Sequence, residues 1–426
     1  MTDTTVLNWL EAAPAQADGF ASLRESAKQS ALALGLPVPR TEAWKFTNLT
    51  SLKALQPVAA STETVGEPVP AFDDLNAVTL HLSNGELKNG DAVEAPEGVE
   101  IVDLASASLP VWAARELGSI VETLKDSAFV DLNTVGFKCG VAICVQRGKM
   151  IERPLLLHIH NEADSEPSLS SPRVLVIVED GASANLVEVH TGSGQHISNS
   201  VVEVSLGADA RFGHYKLQAD ALEAFNLSAT AVRAERNAVY DNFVLSTGSA
   251  LARNEIRGHL AGEHVEYRIN GAYLAKGSQH LDTTTFIDHA VANCESHEMY
   301  KGVLTDQARG VFQGKILVRP DAQKTDGYQM NRALMLSPDA EINSKPELEI
   351  YADDVKCSHG ATVGELEEDH LFYLMARGIS RERARALLVE AYVDETLDQI
   401  QNEAIRDCFK GIAADWMAQH VSGDAA

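Results

Sequence analysis

Short segments that alternate apolar and polar residues fill the chain from about residue 78 to residue 354. After residue 136 no long helical pattern interrupts them, and they are rich in Val, Ile, Leu, Phe and Tyr. Alternation with a period of two is the pattern of β-strands. The sequence therefore predicts a mainly β protein whose strands include VAICV, LLLHIH, RVLVIV, ANLVEVH, SVVEVSL, VYDNFVL, TTTFI, KILV and LEIYA.

The turns between these segments recur at a regular interval. They are marked by positions 180, 208, 235, 262, 277, 306, 321 and 339, whose successive differences are 28, 27, 27, 15, 29, 15 and 18. A spacing near 15, often doubled and without crossover helices, indicates a solenoid of stacked strands, and we predict a β-helix. A β-sandwich is the competing architecture, but a chain of this length usually divides into sandwiches joined by visible linkers, and 136–343 shows none.

The two faces of each predicted strand differ in polarity. We expect Val, Ile, Leu and Phe to face the interior of the β-helix, because this is where apolar side chains are removed from water. Polar side chains are then expected to face outward, and His214, Lys216, Asn242 and Glu266 are examples.

Helical patterns lie at both ends of the strand-rich region. Residues 1–74 are predicted to form an N-terminal helical domain with a flexible linker at 56–74, and 75–362 the β-helix core with a helical insertion near 106–128. Within the first part, Trp44 and Phe46 are expected to anchor the N-terminal domain on the core. Residues 363–426 are predicted to form a C-terminal helical domain, with Gly378 ending its first helix and Ser380 capping the second.

Composition and charge narrow the classes of function. The 426 residues include 61 acidic and 35 basic side chains, for a formal net charge of −26. Such a charge is repelled by phosphate backbones and anionic lipids, so we predict no nucleic-acid or membrane role. The first twenty residues carry acids where a secretory signal carries Lys or Arg, and the five cysteines are odd in number and scattered, so a cytoplasmic location is expected.

The stretch 353–359, DDVKCSH, holds the most promising chemistry. In an extended strand, residues two apart share a face, so Cys357 and His359 are expected to lie side by side. A thiolate and an imidazole suit iron, zinc or an iron–sulfur cluster, and Lys356 is expected to lower the pKa of the Cys357 thiol. Two ligands are too few for a closed site, and a packed cysteine with a hydrogen-bonded histidine remains the alternative.

Other candidate ligands favour structural roles. The histidines at 158 and 160 share a strand face but stand beside an LLL run, which is more typical of packed or hydrogen-bonded side chains. The cysteines at 139, 144 and 408 are interpreted as core residues, while the role of Cys294 stays open. No Walker A, GxGxxG, HExxH or nucleophile-elbow motif occurs, so the chain itself is predicted to bind no nucleotide.

Three segments carry a resemblance to a known family. They are KPELEIYADDVKCSHGAT at 345–362, LFYLMARGIS at 371–380 with ARALL at 384–388, and RTEAWKFT at 40–47. Together they resemble the SufB/SufD family, the iron–sulfur assembly proteins of the SUF system. The segment at 40–47 resembles the N-terminal signature of the SufD branch.

The resemblance implies a right-handed parallel β-helix between N-terminal and C-terminal α-helical domains. It implies a non-catalytic scaffold for iron–sulfur cluster assembly and iron acquisition, which pairs with SufB through the β-helices and docks the SufC ATPase on its C-terminal helical domain; a homodimer in isolation stays open. His359, with Cys357 as second candidate, would then bind iron or a nascent iron–sulfur cluster, transiently and shared with the partner.

A different class of function is the rival hypothesis. A β-helix enzyme acting on polysaccharide would use Asp353, Asp354 and Lys356 as acid and base groups on an exposed turn. Such enzymes are mostly secreted, and the free cysteines and the missing secretory signal pattern favour the scaffold instead.

Overall fold

Two β-sheets wound from alternating strands form the centre of the computed structural model, which describes residues 3–13, 20–60, 66, 69–90, 93–106, 108–124, 127–138 and 140–421. The strands are β1 (Val58–Ala59), β2 (Val78–Ser83), β3 (Glu86–Leu87), β4 (Val99–Asp103), β5 (Gly140–Val145), β6 (Leu155–Glu162), β7 (Ser168–Ser170), β8 (Arg173–Val178), β9 (Ser183–Ser193), β10 (His196–Leu206), β11 (Arg211–Gln218), β12 (Phe225–Ala234), β13 (Val239–Ser246), β14 (Leu251–Leu260), β15 (Glu266–Ala275), β16 (His280–His289), β17 (Glu295–Leu304), β18 (Arg309–Val318), β19 (Asp326–Met335), β20 (Glu341–Ile350) and β21 (Lys356–Gly364).

Helices flank and interrupt the strands. The α-helices are α1 (Thr4–Ala12), α2 (Ala21–Leu34), α3 (Thr50–Lys53), α4 (Val111–Glu116), α5 (Ala128–Gly136), α6 (Glu368–Met375), α7 (Arg381–Leu397) and α8 (Glu403–His420), and 3₁₀ turns occur at Glu42–Trp44, Pro70–Leu75 and Ile120–Leu124. The expected linker is in part ordered, because β1 pairs with β7; its residues 61–65, 67 and 68 lie outside the described part of the chain.

Consecutive strands alternate between the two sheets from β8 onward. Sheet A runs in the order β20-β18-β16-β14-β12-β10-β8-β5-β4, and sheet B in the order β21-β19-β17-β15-β13-β11-β9-β6-β2-β3. Leu251 pairs with His280, and His280 with Arg309, so one turn of the winding comprises two strands and the two connections that follow them. The pairs from β8 onward are parallel, which confirms the predicted β-helix, a solenoid of about eight turns, and excludes the β-sandwich.

The interior between the sheets holds a continuous apolar core, but polar side chains enter it as well. His214, Lys216 and Asn242 are at most 2% exposed and lie on the inner face, so the prediction that they point outward is wrong. The reason is that the outer face of β11 is also buried, since Tyr215 packs under the C-terminal helices. With both faces buried, alternation of polarity no longer marks the inside. Glu266, on β15, does face outward and is half-buried.

Glu188 links several of these inward polar groups. The carboxylate of Glu188 accepts hydrogen bonds from His190 and from Nε2 of His214 at 2.8 Å, and Lys216 Nζ lies 3.3 Å away. Burial alone would raise the pKa of Glu188, but the charge of Lys216 and the two imidazoles outweigh it and hold that pKa well below its usual value. The cluster is therefore a paired, fully buried network rather than an open site.

The helical insertion is fastened to sheet A by a buried ion pair. Arg173 and Glu203 are both fully buried, with Nη2 and Oε1 2.6 Å apart. The same carboxylate accepts from the backbone N–H groups of Gly118, Ile120 and Val121 at 3.0 to 3.3 Å. One carboxylate thus accepts from several backbone donors where the chain enters the 3₁₀ turn.

The segment 42–47 crosses the outer face of sheet A near its end. It reaches four neighbouring strands, and the buried Trp44 confirms the predicted anchor, whereas Phe46 is only half-buried. The contacts are Trp44 with Arg253 on β14, Thr47 with Asp282 on β16, the carbonyl of Ala43 with Gln313 on β18, and Glu42 with Lys345 on β20. The N-terminal part of the chain is therefore tied to the last strand of sheet A.

The helices α7 and α8 cover the outer face of sheet B. Val389, Val393 and Phe409 are buried against apolar residues of the sheet. Lys301 reaches out from β17 to the backbone carbonyl of Tyr392 at 2.7 Å and to the carboxylate of Glu395. Ser380 caps α7 as predicted, since its hydroxyl accepts from the N–H of Arg383. In contrast α6 buries only Leu371 among its eight residues, and Tyr373 is exposed.

Candidate metal centre

The solenoid is open at its last turn. β20 and β21 stand at the ends of their sheets and have a strand partner on one side only within the described residues. Inner-face residues that are fully buried one turn earlier become accessible here: Ile316 is 0% exposed, while its neighbour Leu348 on β20 is half-buried and Ile350 is exposed. The end of the solenoid therefore presents its interior surface to the outside.

Cys357 and His359 lie in this opening, on β21. Their neighbours in the sheet are Gly327 and Gln329 of β19, both buried on the inner face. Cys357 is half-buried and packs against the apolar core, whereas His359 is exposed. Residues two apart along a strand are separated by about 7 Å, so both side chains can approach one metal ion or the edge of one cluster.

The electrostatics of the thiol differ from the sequence-based expectation. Burial raises the pKa of Cys357, and the nearby charge of Asp326 adds to the effect, although a backbone hydrogen bond from Gly327 opposes it. The prediction that Lys356 lowers this pKa is wrong, because Lys356 is exposed on the opposite face of the strand. Cys357 is thus a protonated, partly packed thiol, and His359 is the more accessible side chain of the two.

A buried amide and carboxyl lie directly behind His359, and the sequence pattern did not indicate them. Gln329 and, one strand further in, Glu298 continue the same line of side chains, and both are 0% exposed. Nε2 of Gln329 donates to Oε2 of Glu298 at 2.7 Å. Burial raises the pKa of Glu298 to about 7 despite that hydrogen bond. Only the strand register shows that these residues are neighbours.

The described residues contain no cluster of three or more His, Cys, Asp or Glu that is arranged to hold a metal ion. His158 and His160 instead share the hydroxyl of Thr191, at 2.7 and 3.0 Å, as packed histidines would. Four cysteines are free: Cys144 and Cys294 are buried, and Cys357 and Cys408 are half-buried; Cys139 lies outside the described residues. Within this part of the chain, the pair on β21 offers two candidate ligands, which are too few for a closed site.

Fold and site together define a class of protein: a parallel β-solenoid with helices at both ends and a cysteine–histidine pair on its open last turn. Residues 158–392 match the family model described as SUF system FeS cluster assembly, SufBD core domain. A SufBD family iron–sulfur cluster assembly protein of Synechocystis is 32% identical over 396 residues, covering 88% of this chain and 86% of that protein. The chain belongs to the SufB/SufD family of iron–sulfur cluster assembly proteins.

Two further relatives have similar coverage. The iron–sulfur cluster assembly protein SufD of Escherichia coli is 29% identical over 382 residues, covering 89% of this chain and 88% of that protein. The chloroplastic protein ABCI7 of Arabidopsis thaliana is 29% identical over 416 residues, covering 93% of this chain and 86% of that protein. None of the helices in the described residues is long and apolar enough to cross a bilayer.

Proposed function

We propose that this chain is a non-catalytic scaffold subunit for iron–sulfur cluster assembly and iron acquisition in the cytoplasm. The observation that carries the proposal is the position of His359, exposed in the open last turn, with Cys357 beside it. Iron or the nascent cluster is the cargo of this site. It is held transiently because one chain supplies only one or two ligands and a partner supplies the others.

The open end of the solenoid supports pairing with SufB. Unpaired edge strands attract further strands, and natural proteins usually shield them. Here both β20 and β21 end their sheets, and the apolar side chains of Ile350 and Val363 are 39% and 49% exposed. A second β-solenoid docked on this end would cover the edges and bring its own ligands to His359. A second copy of this chain could use the same edges in isolation.

The helix α6 supports a second contact, with the SufC ATPase. Phe372, Tyr373 and Met375 are 73%, 57% and 40% exposed on this short helix. Aromatic and Met side chains are typical anchors of protein interfaces. The nucleotide is then bound by the ATPase subunit, and this chain transmits the resulting movement to the site on β21.

Two sets of substitutions test the two contacts separately in a co-expressed complex. Ile350→Lys with Val363→Lys should release SufB but retain SufC, whereas Phe372→Asp with Tyr373→Asp should release SufC but retain SufB. Val111→Asp is a matched control, since Val111 is 83% exposed on α4. Full retention of both partners by both double variants would refute the assignment of the surfaces. Point variants are preferable to deletion of 365–426, because that deletion would uncover the apolar outer face of sheet B.

The scaffold role itself is tested by iron content. The chain purified alone without oxygen should hold little iron, since its own ligand set is incomplete. The complex with SufB and SufC should accumulate the visible absorbance of an iron–sulfur cluster. An intact cluster, stable on the isolated chain, would contradict the shared site. Activity of the isolated chain on polysaccharides, lost on replacing Asp353 and Asp354, would support the rival enzyme hypothesis.

A further inference from the structure

We infer that Gln329, held in place by Glu298, positions the imidazole of His359 for metal binding. Gln329 would act through His359 and would not itself contact the metal. The inference rests on the proposed function, because it concerns how His359 is prepared as a ligand. Glu298 and Gln329 are both fully buried inside the solenoid.

Strand register places the three side chains in one line. Glu298 on β17 pairs with Gln329 on β19, and Gln329 pairs with His359 on β21. Neighbouring strands are about 4.8 Å apart, and side chains in register on parallel strands stand on the same face. The amide of Gln329 is therefore the first polar group beneath His359 on the interior side.

The orientation of the Gln329 amide is fixed. Its nitrogen donates to Glu298 Oε2 at 2.7 Å, and an ionised carboxylate can only accept, so the nitrogen must face Glu298. On the facing sheet a Cβ at Gly314 would clash with this nitrogen, so the glycine provides the room that the amide occupies. While Glu298 is ionised, the amide therefore cannot turn over without losing the hydrogen bond.

The other end of the amide lacks a partner. Oε1 of Gln329 is buried and accepts no hydrogen bond from any described residue. An unpaired buried acceptor is unfavourable, so a donor from the neighbouring ring would stabilise the site. His359 is the residue beside it on the open edge, and one of its ring N–H groups can donate to Oε1.

That hydrogen bond would select one tautomer of the ring. The nitrogen that donates to Gln329 carries the proton, and the second nitrogen keeps its lone pair for the metal. Metal-binding histidines commonly donate their other ring N–H to a buried acceptor, and loss of this partner typically weakens metal affinity 10- to 100-fold. The pair Glu298 and Gln329 supplies such an acceptor from within the solenoid.

The test measures the tautomer of His359 in the metal-free chain. Histidine-selective ¹⁵N labelling reports which ring nitrogen is protonated, and the His359→Gln variant identifies its signals among the 14 histidines. At pH 8 Glu298 is mostly ionised because its pKa is about 7, and the wild type should show one dominant tautomer of His359. Gln329→Leu should show a mixture of both tautomers. Unchanged tautomer populations in Gln329→Leu would overturn the inference. Because iron is absent, this outcome is independent of whether His359 binds a metal.

The chain offers a matched control in Gln218. It is 2% exposed, its Nε2 donates to a buried carboxylate, Asp220, at 2.8 Å, and its Oε1 is likewise without a partner among the described residues. Gln218→Leu should lower stability to a similar extent but leave the His359 tautomer unchanged.

If Gln329→Leu does not fold, Glu298→Gln is the second variant. The amide introduced at position 298 can accept or donate, so it no longer fixes the orientation of the Gln329 amide, and the His359 tautomers should again mix. An unmixed signal there, or equal mixing in Gln218→Leu, would contradict the mechanism.

Discussion

Replacing Glu298 by Gln should change how stability depends on pH. Burial raises the pKa of this fully buried carboxyl from 4.5 to about 7 in the folded protein. Between these values the folded chain keeps a proton that the unfolded chain releases, so wild-type stability falls as pH rises through this window. Below about pH 4.5 Glu298 is protonated in both the folded and the unfolded state, so it does not change the free energy of unfolding with pH. Above about pH 7 the decrease in the free energy of unfolding has reached its full size.

The size of the effect follows from the two pKa values. One pKa unit corresponds to about 1.4 kcal/mol, so the full loss is about 3 kcal/mol, most of which falls between pH 5 and pH 8. Gln has the same shape, can accept the hydrogen bond from Gln329 and does not ionise. The variant should therefore gain about 2 to 3 kcal/mol relative to the wild type over this range.

Urea unfolding at pH 5, 6, 7 and 8, followed by circular dichroism, measures this difference. All other titrating groups are common to both proteins, so the difference between the two curves isolates Glu298. Glu295→Gln is the control, since Glu295 lies exposed on the same strand, and its curve should run parallel to the wild type. Parallel curves for Glu298→Gln as well would refute the assignment of a raised pKa to this buried carboxyl.

Two further substitutions test how the helical parts are fastened to the solenoid. Glu203→Gln should destabilise the protein by about 3 to 5 kcal/mol, because it leaves the buried charge of Arg173 without its partner; a loss below about 1 kcal/mol in urea unfolding would contradict this. Lys301→Met should remove the contacts to Tyr392 and Glu395 and so speed amide hydrogen exchange in α7 while β15 and β17 stay protected. Equal acceleration in the strands would show that Lys301 supports the solenoid instead.

Alternating polarity and recurring turns were sufficient to predict the solenoid. The strands from β8 onward stack in parallel, and inward apolar residues such as Val204, Phe212 and Ile316 are buried in one continuous core. The prediction from alternating polarity is wrong at β11. The outward residues Tyr215 and Leu217 are apolar because α8 covers that face, so the pattern assigned His214 and Lys216 to the wrong side. Polarity along one strand cannot show what a helix near the other end of the chain will cover.

The candidate site was predictable in part. The spacing of Cys357 and His359 places them on one face of an extended strand, and this depends on local geometry alone. The high pKa of the Cys357 thiol depends on packing against the core, and the roles of Gln329 and Glu298 depend on register between strands that are not adjacent in the sequence. Packing and strand register depend on residues far apart in the sequence, so composition and local spacing cannot predict them.

The most direct test of the proposed function is the iron and cluster content of the complex that contains His359→Ala. The variant should co-purify with SufB and SufC, since His359 is an exposed side chain, and should lack the cluster absorbance and iron of the wild-type complex. His297→Ala is the matched control, because His297 lies on the outer face of sheet B, stacked on Tyr328, and should leave the cluster intact. Wild-type iron content and absorbance in the His359→Ala complex would contradict the assignment of His359 as a ligand.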